Sequence, residues 1–272
     1  MHSLWRDWEP ILFRGSRALA GSWTGIEVLD FFCELERAHR GCLLLFFFLV
    51  ALLAGVVRGR RPRSIDMVIP GTDTKLSIVV GDIFKEPGCR AIAVNEFFDS
   101  SMPDHVSPLS LHGAFLNRHY KGQEAAARSA IDDALPTDGF EYVDRPSGAR
   151  RRYPIGTTAR LKPENEQYFL VAVSHTDAHL QASATVTDLT IALNGLWQFA
   201  RRNCNGERLA LPLIGSGLAR VGLPTRQLLD VIISSLVVAS RKSKITEQIT
   251  IVLTDEHLKR IDLRDIESTW SR

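Results

Sequence analysis

Cysteine is scarce and scattered. Cys33, Cys42, Cys89 and Cys204 form no CxxC pair, which argues against a zinc ribbon or a disulfide framework and for a reduced environment. His175 and His179, in SHTDAH, lack the carboxylate or cysteine partners of a metal site, so no metal and no cofactor are expected. Internal repeats and low-complexity tracts are missing too. So is a basic excess in the main part of the chain: the net charge of +2 divides into nine Arg against six Asp/Glu over residues 1–63, and 24 Lys/Arg against 25 Asp/Glu beyond them. A near-neutral domain lacks the footprint that a phosphate backbone demands, and no nucleic-acid partner is expected. What the chain does have is size, 272 residues with 45% hydrophobic content, enough for one domain with a full core plus an appendage.

The appendage reads as membrane. Residues 41–57, GCLLLFFFLVALLAGVV, hold no charge, and twelve of the seventeen are Leu, Phe or Val. Insertion of those twelve gains on the order of 4 to 7 kcal/mol. The run spans about 25 Å against a hydrocarbon core of about 30 Å, a shortfall that snorkelling by Arg40 and Arg58 can make up. The RGRRPR that follows places this end in the cytoplasm by the positive-inside rule. Residues 11–32 form a weaker second segment, interrupted by Glu27 and Asp30, which either crosses as the first arm of a helical hairpin or lies along the interface. Residues 1–57 are thus expected to be a membrane segment and 58–73, with Pro62, Pro70 and Gly71, a basic linker.

From residue 74 onward the periodicity changes. KLSIVV (75–80), CRAIAVNE (89–96), residues 154–162, residues 167–174, RLALPLI (208–214) and QITIVLT (248–254) read as short, buried strands. TVTDLTIALNGLWQFARR carries Leu189, Leu193, Leu196, Trp197 and Ala200 on one helical face, and a further helix is predicted from Leu223 to about Ser240. Strand and helix alternating over this length predict a three-layer α/β domain, a mixed sheet flanked by helices.

Three stretches carry candidate chemistry. In VVGDIF a strand breaks at Gly81 and is followed by Asp82, a carboxylate able to accept from an exocyclic amine or simply to serve a turn. In AIAVNEFFDS a strand ends at Asn95, which suits a ribose hydroxyl or the turn itself. In LPLIGSGLARVGLP a strand runs through Gly215, Ser216 and Gly217 into a helix near Pro224, the arrangement that aims backbone N–H groups and a positive helix end at an anion, phosphate above all. The spacing is neither a Walker loop nor GxGxxG.

Together these residues resemble the macro domain, the α/β module that binds ADP-ribose, over about Lys75 to Asp255. With SLHG (110–113), PIGTT (154–158), YFLVAVSHTD and the apolar segment in front, the chain is similar to the membrane-anchored macro-domain effectors of bacterial Thoeris antiphage defence. The resemblance implies that Asp82 holds the adenine amine with the Ile83 N–H beside it, that Asn95 lies at the ribose, and that Gly215, Ser216, Gly217 and Leu218 wrap the diphosphate, with Arg220 as a candidate phosphate neutraliser. It also implies a TIR-domain partner whose small-molecule product, an ADP-ribose derivative with amino-acid conjugates among the candidates, is the ligand. A lipid bilayer, a homo-oligomer, and a place in the bacterial cell membrane with the macro domain in the cytoplasm complete what it implies.

The pattern departs from hydrolytic macro domains, which carry NAAN and then a run of glycines. Here Asn95 precedes Glu96, Phe97 and Phe98, and the bulkier FFDSSMPDHVSPLSLHG follows. A binding protein rather than an enzyme is expected. Asp99, Ser110 and His112 become candidate contacts to a group on the distal ribose. Membrane-tethered ADP-ribosyl hydrolase and passive reader of ADP-ribosylated partners are the alternatives.

Overall fold

The computed structural model describes Glu27 and residues 37–59, 61–177, 179–217 and 221–271. It divides into two units, Met1–Pro62 and Arg63–Arg272. In the first, Arg37–Gly59 is one helix, α1. Leu45, Phe46, Leu49, Leu52 and Leu53 are more than half exposed on it. Among the described residues no helix is long and apolar enough to cross a membrane; the uncharged stretch of α1 stops about one turn short of the hydrocarbon thickness. The expected membrane-crossing helix is therefore not supported. The second segment expected at 11–32 lies outside the described residues, Glu27 excepted.

In the second unit the chain runs β1 (Ser64–Val68), β2 (Lys75–Val80), β3 (Cys89–Asn95), α2 (Leu111–His119), α3 (Glu124–Ala134), β4 (Glu141–Tyr142), β5 (Arg151–Arg152), β6 (Thr158–Leu161), β7 (Gln167–Thr176), β8 (Ala182–Ser183), α4 (Val186–Asn203), β9 (Leu209–Pro212), α5 (Thr225–Lys242), β10 (Gln248–Leu253), α6 (Asp255–Arg260) and α7 (Leu263–Trp270). The main sheet has the order β1-β2-β10-β9-β3-β7-β6, with β8 paired to β7. The five strands from β2 to β7 are parallel; β1 and β6 close the edges antiparallel. Residues 58–73 are thus not all linker, because Ser64–Val68 pairs with β2 residue by residue.

Parallel strands buried on both faces need two cores, and β7 shows why its run is unbroken. Phe169, Val171 and Val173 pack with α4 and α5 on one face, while Tyr168, Leu170 and Ala172 pack with α2 and α3 on the other. The expected three layers follow from this alternation. Helix α4 starts at a capping box, in which Thr185 and Asp188 each bond the other's backbone N–H, and buries Leu189, Leu193, Leu196, Trp197 and Ala200. Trp197 Nε1 donates to Ser235 Oγ at 2.9 Å, which ties α4 to α5.

Candidate functional site

The carboxyl ends of the parallel strands all meet one edge of the sheet, the place where open α/β sheets present their loops to ligands. A cavity of about 520 Å³ lies there, between the loop after β9, Leu213–Gly217, and the segment 105–112 that leads into α2; Asn95 and Ser174 form its floor.

The β9 loop is shaped by its own hydrogen bonds. Ile214 N–H donates to Pro212 O, and Ser216 donates to Leu213 O through both N–H and Oγ. Among the described residues no acceptor meets the N–H of Gly215 or Gly217. Gly215 has φ +90°, and a Cβ on it would come within 2.9 Å of Val221, ahead of α5, and 3.1 Å of Leu228 in the first turn of that helix. That helix begins after Pro224 with no side-chain cap and no acidic residue in its first turn, so its end carries uncompensated positive potential. Leu218 and Arg220 lie outside the described residues.

The opposite wall is held by side chains that bond one another. Asn95 Oδ1 accepts from the N–H groups of Phe97 and Asp99 at 3.1 and 3.2 Å, and its Nδ2 donates to Asp99 Oδ2. Asp99, 1% exposed, takes two contacts from Arg145 Nη1 and the Ala149 N–H at 2.8 Å. The Arg145 guanidinium also sits 3.9 Å from the centroid of the Phe97 ring. Asp99 therefore does not line the cavity: its carboxylate anchors the loop from beneath. Ser110 lines it but is the N-cap of α2, accepting from Gly113 N–H and donating to Ser107 O.

His112 differs from these. It lines the cavity, is 5% exposed, and its Nε2 is buried with no partner among the described residues. Burial, with the Arg128 charge adding to it, pushes the imidazole down to about 4. Asp82 and Ile83 are not in the cavity wall. Asp82 caps a 3₁₀ turn, Ile83–Lys85, by accepting from Phe84 N–H at 3.0 Å. Ile83 is buried with Ala210 and Val252, against Leu111 of the cavity wall.

Residues that the sequence did not single out also belong here. His105 bridges Ser101 Oγ and Ser147 Oγ beside the cavity. Leu109 stands 94% exposed at its rim. On the far side of β3 and β7, Glu96 receives His175 Nδ1 at 2.7 Å, and His175 Nε2 lies 3.3 Å from Asp188. Burial opposes charge on His175, but these carboxylates outweigh it and hold the imidazole above its ordinary value.

The model of the macro domain of the Thoeris protein ThsA matches residues 76–254. The chain belongs to the ThsA macro-domain family. No curated protein matches the chain. Among solved structures the ThsA-type domain is similar to an Oceanobacillus iheyensis macrodomain with ADP, at 14% identity and a TM-score of 0.53, over 76% of this chain and 97% of that one. A point mutant of the same macrodomain with ADPR gives 14% identity and a TM-score of 0.54, over 77% and 100% of the two chains. These likenesses establish a macro-domain fold.

Proposed function

We propose that this ThsA-family chain binds an ADP-ribose-type nucleotide in the cavity between Leu213–Gly217 and residues 105–112, as a sensor and not as a hydrolase. The observation that carries this reading is the pair of unpartnered N–H groups at Gly215 and Gly217, set at the carboxyl edge of a parallel sheet beside an uncapped helix start. Such donors stabilise a diphosphate without any cationic side chain. The ADP and ADPR in the names of the similar macrodomain structures support the same ligand class. Asp82, exposed at the end of β2, takes the adenine amine beside the Ile83 N–H, and Leu218 and Arg220 extend the phosphate loop.

The sensor reading rests on the loop after β3. Asn95 is held by the Asp99 turn, and a buried ion pair fixes that turn in place. The signal is an ADP-ribose derivative, an amino-acid conjugate being one candidate, made by a TIR-domain partner. Binding changes self-association of the chain, which requires unequal affinity for the two states. The exposed Leu and Phe side chains of α1, flanked by arginine at 40 and 58, anchor the protein to the bacterial cell membrane with the macro domain in the cytoplasm, and association of anchored chains compromises the bilayer.

Calorimetric titration of ADP-ribose into the full chain tests the site. Saturable heat that falls at least tenfold in affinity in Gly217→Val is expected, because Gly217 lines the cavity and the added side chain stands beside the N–H assigned to the phosphate. Equal binding by wild type and variant would remove the assigned loop.

A further inference from the structure

Between β4 and β5 the chain makes a loop, residues 143–150, and among the described residues those of this loop stand outside the cavity wall. The two strands have two residues each and form a sheet of their own, and an isolated hairpin is marginal in water. A side chain holds the loop instead. In the run 144–148 only Arg145 is buried, at 9% exposure. Its Nη1 lies 3.1 and 3.3 Å from the two carboxylate oxygens of Asp99 and donates to Ala149 O at 2.8 Å, while its guanidinium covers the Phe97 ring. Asp99 in turn holds Asn95 in the cavity floor. A second tie runs from Ser147 Oγ to Nε2 of His105, a wall residue, at 3.0 Å. Between these ties Gly148 sits so close that a Cβ on it would come within 2.7 Å of His105 Nε2 and 2.8 Å of Asp99 Oδ1. One short loop thus reaches the floor through Asp99 and the wall through His105.

Stability is a poor reason for an arginine in that place. Desolvation of a buried ion pair commonly cancels its attraction, and apolar residues of the same volume hold a fold as well or better. The pair here is also incomplete, because Arg145 Nη2 is buried and meets no acceptor among the described residues. Direction is the better reason: a carboxylate fixed at once by Arg145, the Ala149 N–H and Asn95 has one position, since charge-assisted hydrogen bonds are strong and directional. An apolar contact would tolerate several.

We propose that Arg145 is a positioning residue of the nucleotide cavity: the 143–150 loop is a latch, outside the cavity, that holds floor and wall in the arrangement that receives the ligand, and ligand affinity depends on its being shut. This rests on the nucleotide reading of the site and names what keeps that site formed. ADP-ribose is titrated into full-length wild type, Arg145→Met and Ser147→Ala, well below the unfolding midpoint of each. Dissociation rates, thermal unfolding and hydrogen exchange over residues 95–112 are recorded on the same samples. Arg145→Met keeps the length of the side chain and removes its charge; Ser147→Ala removes one exposed hydroxyl and leaves the core alone.

Faster exchange over residues 95–112 is expected in both variants without ligand. Affinity is expected to fall about tenfold or more in Arg145→Met and about threefold in Ser147→Ala, through faster dissociation. An arginine with a merely structural role would lower the unfolding midpoint and leave affinity as in wild type. Wild-type affinity in a folded Arg145→Met therefore overturns the assignment while leaving the nucleotide site standing; if Arg145→Met does not fold, wild-type affinity in Ser147→Ala overturns it. Failure of wild type to bind ADP-ribose overturns both.

Discussion

Gly215 and Gly217 stand two residues apart and are glycine for different reasons. At Gly215 the backbone takes φ +90° and a Cβ would strike Val221, so any other residue strains the turn. At Gly217 a Cβ would meet nothing within 4 Å, so packing does not demand the glycine there. His112 supplies the other residue-scale contrast and a pH prediction. Its folded-state value of about 4 lies below the 6.5 of an unfolded histidine, so the unfolded chain binds the extra proton between these values. Stability is unaffected above pH 6.5, falls as pH drops from 6.5 toward 4, and falls no further on this account below 4. Between pH 7 and 4.5 the loss from this ring is about 2 kcal/mol. Urea unfolding of wild type and His112→Phe at the two pH values measures it as the difference between their losses; equal losses would show that the ring is not held neutral. Much of this was readable in advance, since GSG after a strand signals close approach. That Asp99 is a structural anchor was not, because its partner Arg145 lies 46 residues away and the pair exists only once β3 and the segment before β5 are brought together.

Among the elements, α4 shows how far periodicity carries. Its buried face is the one that the 3.6-residue spacing marks, because an amphipathic helix on a sheet has one solution. Helix α3 escaped that reading because only Ala127 and Ile131 of its eleven residues are buried, too sparse a stripe to show. Strand β1 escaped for another reason: Pro62, Pro70 and Gly71 surround SIDMV, and a five-residue edge strand with alternate burial resembles linker until its partner β2 is known. The contact that positions α4 was also silent. A Cβ on Gly195 would lie 2.3 Å from Gly156 O, and Gly156 itself has φ +91°. The helix therefore rests directly on the backbone ahead of β6. Gly195→Ala is expected to destabilise the fold by roughly 1 to 3 kcal/mol, the usual cost of overpacking. Denaturant unfolding checks it, and an unchanged midpoint would show that the two backbones are not in contact.

At the scale of the whole molecule, the five parallel strands do one thing for function: they bring segments separated by more than a hundred residues, 95–112 and 213–217, to opposite sides of one cavity. The order of the motifs along the chain told which strands mattered, since each motif ends a strand that runs the same way. It could not tell that Asp82 would also cap its own turn, because the acceptance from Phe84 N–H depends on the 3₁₀ turn that follows β2. The membrane part stays at the level of composition: a 23-residue helix with exposed leucines and phenylalanines. The central claim is that main-chain amides of the β9 loop grip the diphosphate. Amide proton shifts of the ¹⁵N-labelled protein on addition of ADP-ribose test it most directly. The account predicts large downfield movement of the Gly215 and Gly217 N–H signals, with smaller changes around His112; saturation of the protein with both glycine amides unmoved would contradict it.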